Sequence, residues 1–205
     1  MKSIKQTICG LALMALAATA WHDDAAAAPV VSVNPTSQDI IVGGVAAVDI
    51  VVSGLTEAVG GFSFTLSFND GIVEGLSFTN DPGLTMGLDP LDLSFGFGAG
   101  GSSPLDIFFV ADFLEDEASL AAAQGASFVL TTITFEGLVN GLSPLTLSDV
   151  VLSNWDGTET LALAGVRNGS ICVGGNCVTT IPEPATYALV ALALAGMGAL
   201  RRRAA

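Results

Sequence analysis

From Phe62 to Phe68 the chain reads Phe-Ser-Phe-Thr-Leu-Ser-Phe, large apolar residues alternating strictly with small hydroxyl residues. On a helix this spacing would scatter the apolar groups around the axis. On a strand it puts every one of them on one face and every hydroxyl on the other. One face must therefore be buried and the other left open to water, the signature of a strand in a two-layer sheet. The same period of two returns in Leu91-Asp92-Leu93-Ser94-Phe95-Gly96-Phe97, and from Val45 to Val52, with Val48, Ile50 and Val52 on one side. Further strands are expected at 30–33, 39–42, 76–78, 107–111, 128–135, 145–152, 161–163 and 171–173. Turn chemistry separates them: Gly43-Gly44, Ser53-Gly54, Asn69-Asp70-Gly71, Asn80-Asp81-Pro82-Gly83, Asn140-Gly141 and Asp156-Gly157. The expected fold is all-β, a two-layer sandwich.

One segment departs from that rhythm. Leu114 to Gln124 is Ala-rich, has acids in its first turn and Gly125 just beyond its end, so it reads as one short helix. Glu115, Asp116 and Glu117 are then a solvated N-terminal turn before they are a cation site.

The two ends are built differently. At the start, Lys2 and Lys5 precede an apolar stretch from Ile8 to Ala18 that is too short for a stable span, followed by Ala18-Thr19-Ala20 and Ala25-Ala26-Ala27 as two alternative cleavage sites. Residues 1–27 read as a secretory signal peptide that carries away Cys9 and His22, the only histidine. At the other end, Pro182-Glu183-Pro184 cannot extend a strand or helix, an apolar run covers Ala185 to Leu200, and Arg201, Arg202 and Arg203 close it. The arginines stay cytoplasmic, which puts everything before Pro182 across the membrane. Pro-Glu-Pro, short apolar run and arginine cluster, in that order, resemble the PEP-CTERM sorting signal of exopolysaccharide-producing Gram-negative bacteria. That resemblance covers residues 181–205. It implies an exosortase-type membrane transpeptidase as a partner, a transient stay in the membrane, and a final place at the cell surface or in the extracellular matrix.

Charge narrows the function of the middle. The chain of 205 residues carries 20 acidic and 6 basic residues, and Arg167 is the only basic one between Pro29 and Thr180. One arginine against 17 carboxylates leaves that portion at −16. Such a surface repels nucleic acid and anionic lipid. No His or Lys lies in the same portion, so a nucleophile–base site of the Ser-His-Asp kind has no base and a zinc site lacks ligands. No cofactor or catalytic set is expected. Asp112 ends an apolar strand without a second acid to partner it as a glycosidase requires. The EF-hand pattern around Asn154-Trp155-Asp156-Gly157 fails at Leu152 and Leu163. The acidic loop 81–92 is left as a weak cation candidate, and the Asn168-Gly169-Ser170 sequon carries little meaning in a bacterium.

The middle also has a resemblance of its own. Val31-Ser32-Val33-Asn34-Pro35, Val42-Gly43-Gly44, Val48-Asp49-Ile50, Ser53-Gly54-Leu55 and Gly61-Phe62-Ser63-Phe64, with the later Leu130-Thr131-Thr132-Ile133-Thr134-Phe135 and Ser143-Pro144-Leu145-Thr146-Leu147, are similar to the opening and closing rhythm of cohesin-like domains. This resemblance implies a jelly-roll-like, non-enzymatic protein-binding sandwich over residues 30–178. No dockerin-contacting residue set is matched and none is carried across.

Three residues stand out as a binding surface. With Leu105, Ile107, Phe109 and Ala111 facing the core, Phe108 and Val110 turn outward, to begin a docking patch or to be covered by a second layer or the helix. Trp155 is the one tryptophan or tyrosine outside the two ends, and therefore the only ring of the kind that stacks on a sugar. The leading expectation is a structural or adhesive envelope or matrix protein; the alternative is a carbohydrate-binding module for a secreted exopolysaccharide. With Cys9 removed, Cys172 and Cys177 remain as an even pair in an oxidising compartment, separated by turn-forming Gly174-Gly175-Asn176, and a disulfide is expected between them.

Overall fold

The computed structural model describes residues 28–175 and Cys177. The signal peptide at 1–27 and the sorting tail from Pro182 to Arg203 lie outside the described residues. Twelve strands follow in order: β1 (Val30–Asn34), β2 (Ser37–Ile40), β3 (Val45–Ser53), β4 (Val59–Ser67), β5 (Val73–Asn80), β6 (Leu91–Asp92), β7 (Gly96–Gly98), β8 (Ser102–Val110), β9 (Ser127–Gly137), β10 (Gly141–Asn154), β11 (Gly165–Arg167) and β12 (Gly169–Val173). A single helix among them, α1 (Glu117–Gln124), joins β8 to β9.

The strands form two sheets. One runs β11-β1-β3-β9-β5; the other runs β2-β12-β10-β4-β8-β6, with β7 also paired to β8. Their inner faces meet in one core. Phe62, Phe64 and Leu66 of β4 point into it, as do Val48, Ile50 and Val52 of β3, while Ser63 and Thr65 alternate to the other side of their sheet. Aromatic pairs pack this core: the Phe62 and Phe109 rings, on neighbouring strands of one sheet, lie 5.4 Å apart, and Phe68 meets Phe135 of the other sheet edge-on at 5.1 Å. The last two strands close both sheets, β11 running parallel to β1 and β12 parallel to β2.

Several expectations are corrected in detail. Leu91 to Phe97 is not one strand but two short pieces. Between them the ladder to β8 is interrupted, although the Leu93 amide still donates to the Phe108 carbonyl at 2.9 Å; Leu91, Leu93 and Phe95 stay exposed while Phe97 packs against the core. Residues 161–163 form no strand, although Leu161 and Leu163 do pack on the core. The strand expected at 39–42 ends at Ile40, and β11 is an addition. Cys172 and Cys177 are joined by a disulfide with their Cα atoms 5.6 Å apart. β12 pairs with β10 and β2, and residues 178–179, where a strand returning across the disulfide would lie, are outside the described residues.

The helix is shorter than expected because Asp116 caps it: its carboxylate accepts from the Ser119 amide at 2.8 Å, and Gly125 ends it by donating to the Ala121 carbonyl. Leu120 and Gln124, one turn apart, face the sandwich. The buried Gln124 amide completes the edge of β4: Oε1 accepts from the Val59 amide and Nε2 donates to the Val59 carbonyl, each at 2.8 Å, with Met86 Sδ 3.3 Å away. Removing that amide orphans two buried backbone groups. Gln124→Leu is expected to lower unfolding stability by about 1–3 kcal/mol. A urea titration showing a loss under about 0.5 kcal/mol would mean that the bridge contributes no more than an ordinary surface contact.

Candidate functional site

The outward face of β4 is unusually small. Gly61, Ser63 and Thr65 alternate with the buried Phe62, Phe64 and Leu66, so the middle of this sheet has a low floor. The neighbouring strands carry larger side chains at the same rungs. Ser63 lies between Val151 of β10 and Phe108 of β8, and Gly61 lies between Ser153 and Val110. Small residues between larger ones make a trough, and its volume is about 630 Å³.

Trp155 closes one end. It follows β10 directly, in a turn whose backbone crosses Gly60 so closely that a side chain on Gly60 would collide with the carbonyls of Asn154 and Trp155. The turn is tied by its own polar groups. Asn154 Oδ1 accepts from the Glu159 amide at 3.0 Å, and Asp156 Oδ1 accepts from the Thr158 amide at 3.0 Å and from its hydroxyl at 2.7 Å. Phe108, Val151 and Trp155 each keep between 42 and 44% of their surface exposed, so the walls are apolar and wet. Asp112, Glu115 and Asp156 stand on the rim beside the exposed Phe113. Asp112 is held there by accepting from the Leu114 amide at 2.9 Å, while its own amide donates to the Met86 carbonyl at 2.8 Å.

Phe108, Val110 and Trp155 therefore line one cleft, brought together by strand register although Trp155 is distant in sequence from the other two. Sequence reasoning missed Val151 as an opposing wall and Gly61 and Ser63 as the floor. The available signal was the run Gly60-Gly61-Phe62-Ser63, whose outward positions are all too small to fill the space above them. Of the acidic groups considered, Asp116 caps the helix, and burial together with three hydrogen bonds occupies Asp81, which accepts from the amide and hydroxyl of Thr85 and the amide of Met86. Asp81 is thus a loop brace, and among the described residues no three His, Cys, Asp or Glu side chains are grouped to hold a metal ion. Cys172 and Cys177 sit at the opposite end of the sandwich, beside the start of β10. Pro182, Glu183, Pro184 and Arg201 to Arg203 lie outside the described residues.

Those tail residues are matched by the family model of the PEP-CTERM protein-sorting motif over residues 180–203. The chain carries a PEP-CTERM sorting motif. The motif marks this protein for export and membrane-associated sorting. No curated protein matches the chain in sequence. In structure it is similar to a type II cohesin domain from the cellulosome of Acetivibrio cellulolyticus (TM-score 0.57, 14% identity, covering 70% of this chain and 95% of the other). It is also similar to a non-cellulosomal cohesin from the archaeon Archaeoglobus fulgidus (0.52, 17%, 72% and 91%). A chain of a type I cohesin–dockerin complex from Clostridium thermocellum matches as well (0.51, 14%, 72% and 94%). The sandwich that precedes this motif is cohesin-like in fold.

The rim has a pH signature. Hydrogen bonds from the Thr158 hydroxyl and then the Thr158 amide hold the exposed Asp156 carboxyl below its ordinary value of 3.8. A lowered folded pKa means that the turn's stabilisation is complete above the unfolded value and is lost as pH falls through the folded one. Carboxyl NMR titration should find Asp156 ionised at pH 3.8, and Thr158→Val should raise its midpoint. An unchanged midpoint in T158V would remove the hydroxyl as the cause.

Proposed function

We propose that this protein is an exported, non-catalytic binding module of the cell envelope or extracellular matrix, and that its partner is a protein seated in the Phe108–Val110–Val151–Trp155 cleft. The observation that carries the reading is the trough itself: two half-exposed apolar walls over a floor of Gly61 and Ser63, with carboxylates on the rim. An apolar anchor on a partner would bury both walls, and lysines or arginines beside it would meet Asp112, Glu115 and Asp156. Paired charges of this kind steer association more than they tighten it. Cohesin-like architecture supports a protein partner, since one structural neighbour is itself part of a cohesin–dockerin complex.

A sugar is the second reading, favoured by the half-exposed Trp155 beside the Asp156 carboxylate. The two readings part on the opposite wall. Capture from an envelope extract by immobilised protein should retain a polypeptide that Phe108→Asp and Val151→Asp each release at least tenfold. Retardation of the secreted polysaccharide in affinity electrophoresis, abolished by Trp155→Ala and with no polypeptide retained, would replace the protein reading with the glycan one.

We further propose the fate of the tail. Pro182-Glu183-Pro184 is read by an exosortase-type transpeptidase while Ala185 to Leu200 occupies the membrane and Arg201 to Arg203 hold the cytoplasmic side. Withdrawing an uncut run of that length would expose many apolar side chains, each worth up to about 1.5–3 kcal/mol when buried, so release requires peptide-bond cleavage or transfer to a new carrier. Replacing the three motif residues with alanine should leave the sandwich folded and the C-terminus full-length in the membrane fraction, by intact mass. Wild-type protein that keeps Arg201 to Arg203 in every fraction would reduce the tail to an anchor.

A further inference from the structure

The end of the sandwich opposite the cleft carries a second exposed apolar surface of a different shape. Beyond the last rungs of the β3–β9 ladder, the loops 41–44 and 137–140 are tied to each other: the Gly43 amide donates to the Gly137 carbonyl at 2.7 Å and the Gly137 amide to the Gly44 carbonyl at 2.9 Å. On these loops Ile41 is 74% exposed, Val42 51% and Val139 56%, with Leu138 beside them and Val45, the first residue of β3, 57% exposed. Two apolar loop tips side by side are costly in water and have no packing role within the domain.

The chain leaves the sandwich at this same place. Val173 pairs with Ile40, the Gly174 amide donates to the Ile40 carbonyl at 2.8 Å, and the Cys172–Cys177 disulfide holds the strap down, with Cys177 Sγ 3.0 Å from the Gly141 carbonyl. The apolar run begins at Ala185, eight positions beyond Cys177, and eight residues span at most about 28 Å when fully extended. The point where the tail enters lipid is therefore tethered close to the exposed loops.

We propose that Ile41, Val42, Val45, Leu138 and Val139 form an apolar foot that rests on the zwitterionic lipid surface into which the chain's own C-terminal run enters. This rests on the reading that Ala185 to Leu200 occupies the membrane. A lipid surface fits better than a second copy because the tail enters lipid within reach of the foot, and the two loops, tied to each other by backbone hydrogen bonds, present side chains rather than backbone. Side chains at loop tips also enter a soft interface more readily than they fill a flat patch. Asp39 on β2 and Glu136, the partner of Val45, lie next to the foot, and Arg167, the one basic residue among those described, lies on β11. Neutral headgroups are thus preferred to anionic ones. Standing on this foot, the protein holds its cleft outward. β10 leads from Gly141 at the foot to Asn154 beside Trp155, about 40 Å away at the usual rise per residue.

Full chain carrying Val139→Trp, reconstituted in phosphatidylcholine vesicles with lipids brominated near the headgroup, tests the foot. The parent chain is the baseline for the native tryptophans. The added fluorescence of Trp at 139 should fall at least twofold with brominated lipid, and less when half the lipid is phosphatidylglycerol. A Trp added at Phe95, on the exposed side of the cleft sheet, should not be quenched. Flotation of the same samples separates the two readings. Chain that fails to float with vesicles overturns both membrane occupancy and the foot. Chain that floats with Trp at 139 unquenched overturns the foot alone, as does a dimer by crosslinking that Val42→Ser with Val139→Ser abolishes.

Discussion

The sandwich depends on the two faces of β4. Its inward side chains, Phe62, Phe64 and Leu66, lie in the core, and the Phe62 ring packs at a tilt against Phe109 of the neighbouring strand. Its outward side chains are too small to cover the sheet. A strand cannot vary one face without keeping the other in register, because a slip of one residue exchanges them completely. The same alternation that seals the interior therefore leaves a trough outside. Core and cleft are two consequences of one sequence pattern.

The trough stays open because its surroundings are braced. Gln124 satisfies the Val59 backbone where β4 begins, Met86 packs against that amide, and Asp81 holds the Met86 loop by three hydrogen bonds. Bare backbone at Gly60 then lets the Trp155 turn lie across the strand. These contacts link the helix, the 81–90 loop and the end of β10, elements far apart in the chain. A polar group buried in such a network must be fully satisfied, and Gln124 and Asp81 both are. The cleft therefore resembles a preformed surface, for which binding costs little reorganisation.

The long axis of the sandwich separates two exposed surfaces. The cleft, with carboxylates at its rim, lies at one end. The chain exit, disulfide and exposed aliphatic loops lie at the other. On the proposed reading the binding surface must stay clear of the membrane, and β10 provides the distance.

Much was legible in the chain because it is local. Strict alternation in Phe62–Phe68 determined a half-buried strand, the acids and Gly125 determined a short helix, and the order of Pro-Glu-Pro, apolar run and arginines determined the sorting tail. Turning Phe108 and Val110 outward needed no more than counting by two. Local patterns do not say which strands become neighbours. The split of Leu91–Phe97 into β6 and β7 followed from how β8 is paired, and the parallel closure by β11 and β12 from the return of the chain to its own start. Val151 and Trp155 came to face Phe108 only through the β10–β4–β8 register. Composition and spacing along the chain determined which residues are exposed and apolar. Long-range strand pairing, which the chain does not encode in any single segment, decided that they share one cleft at the end away from the tail.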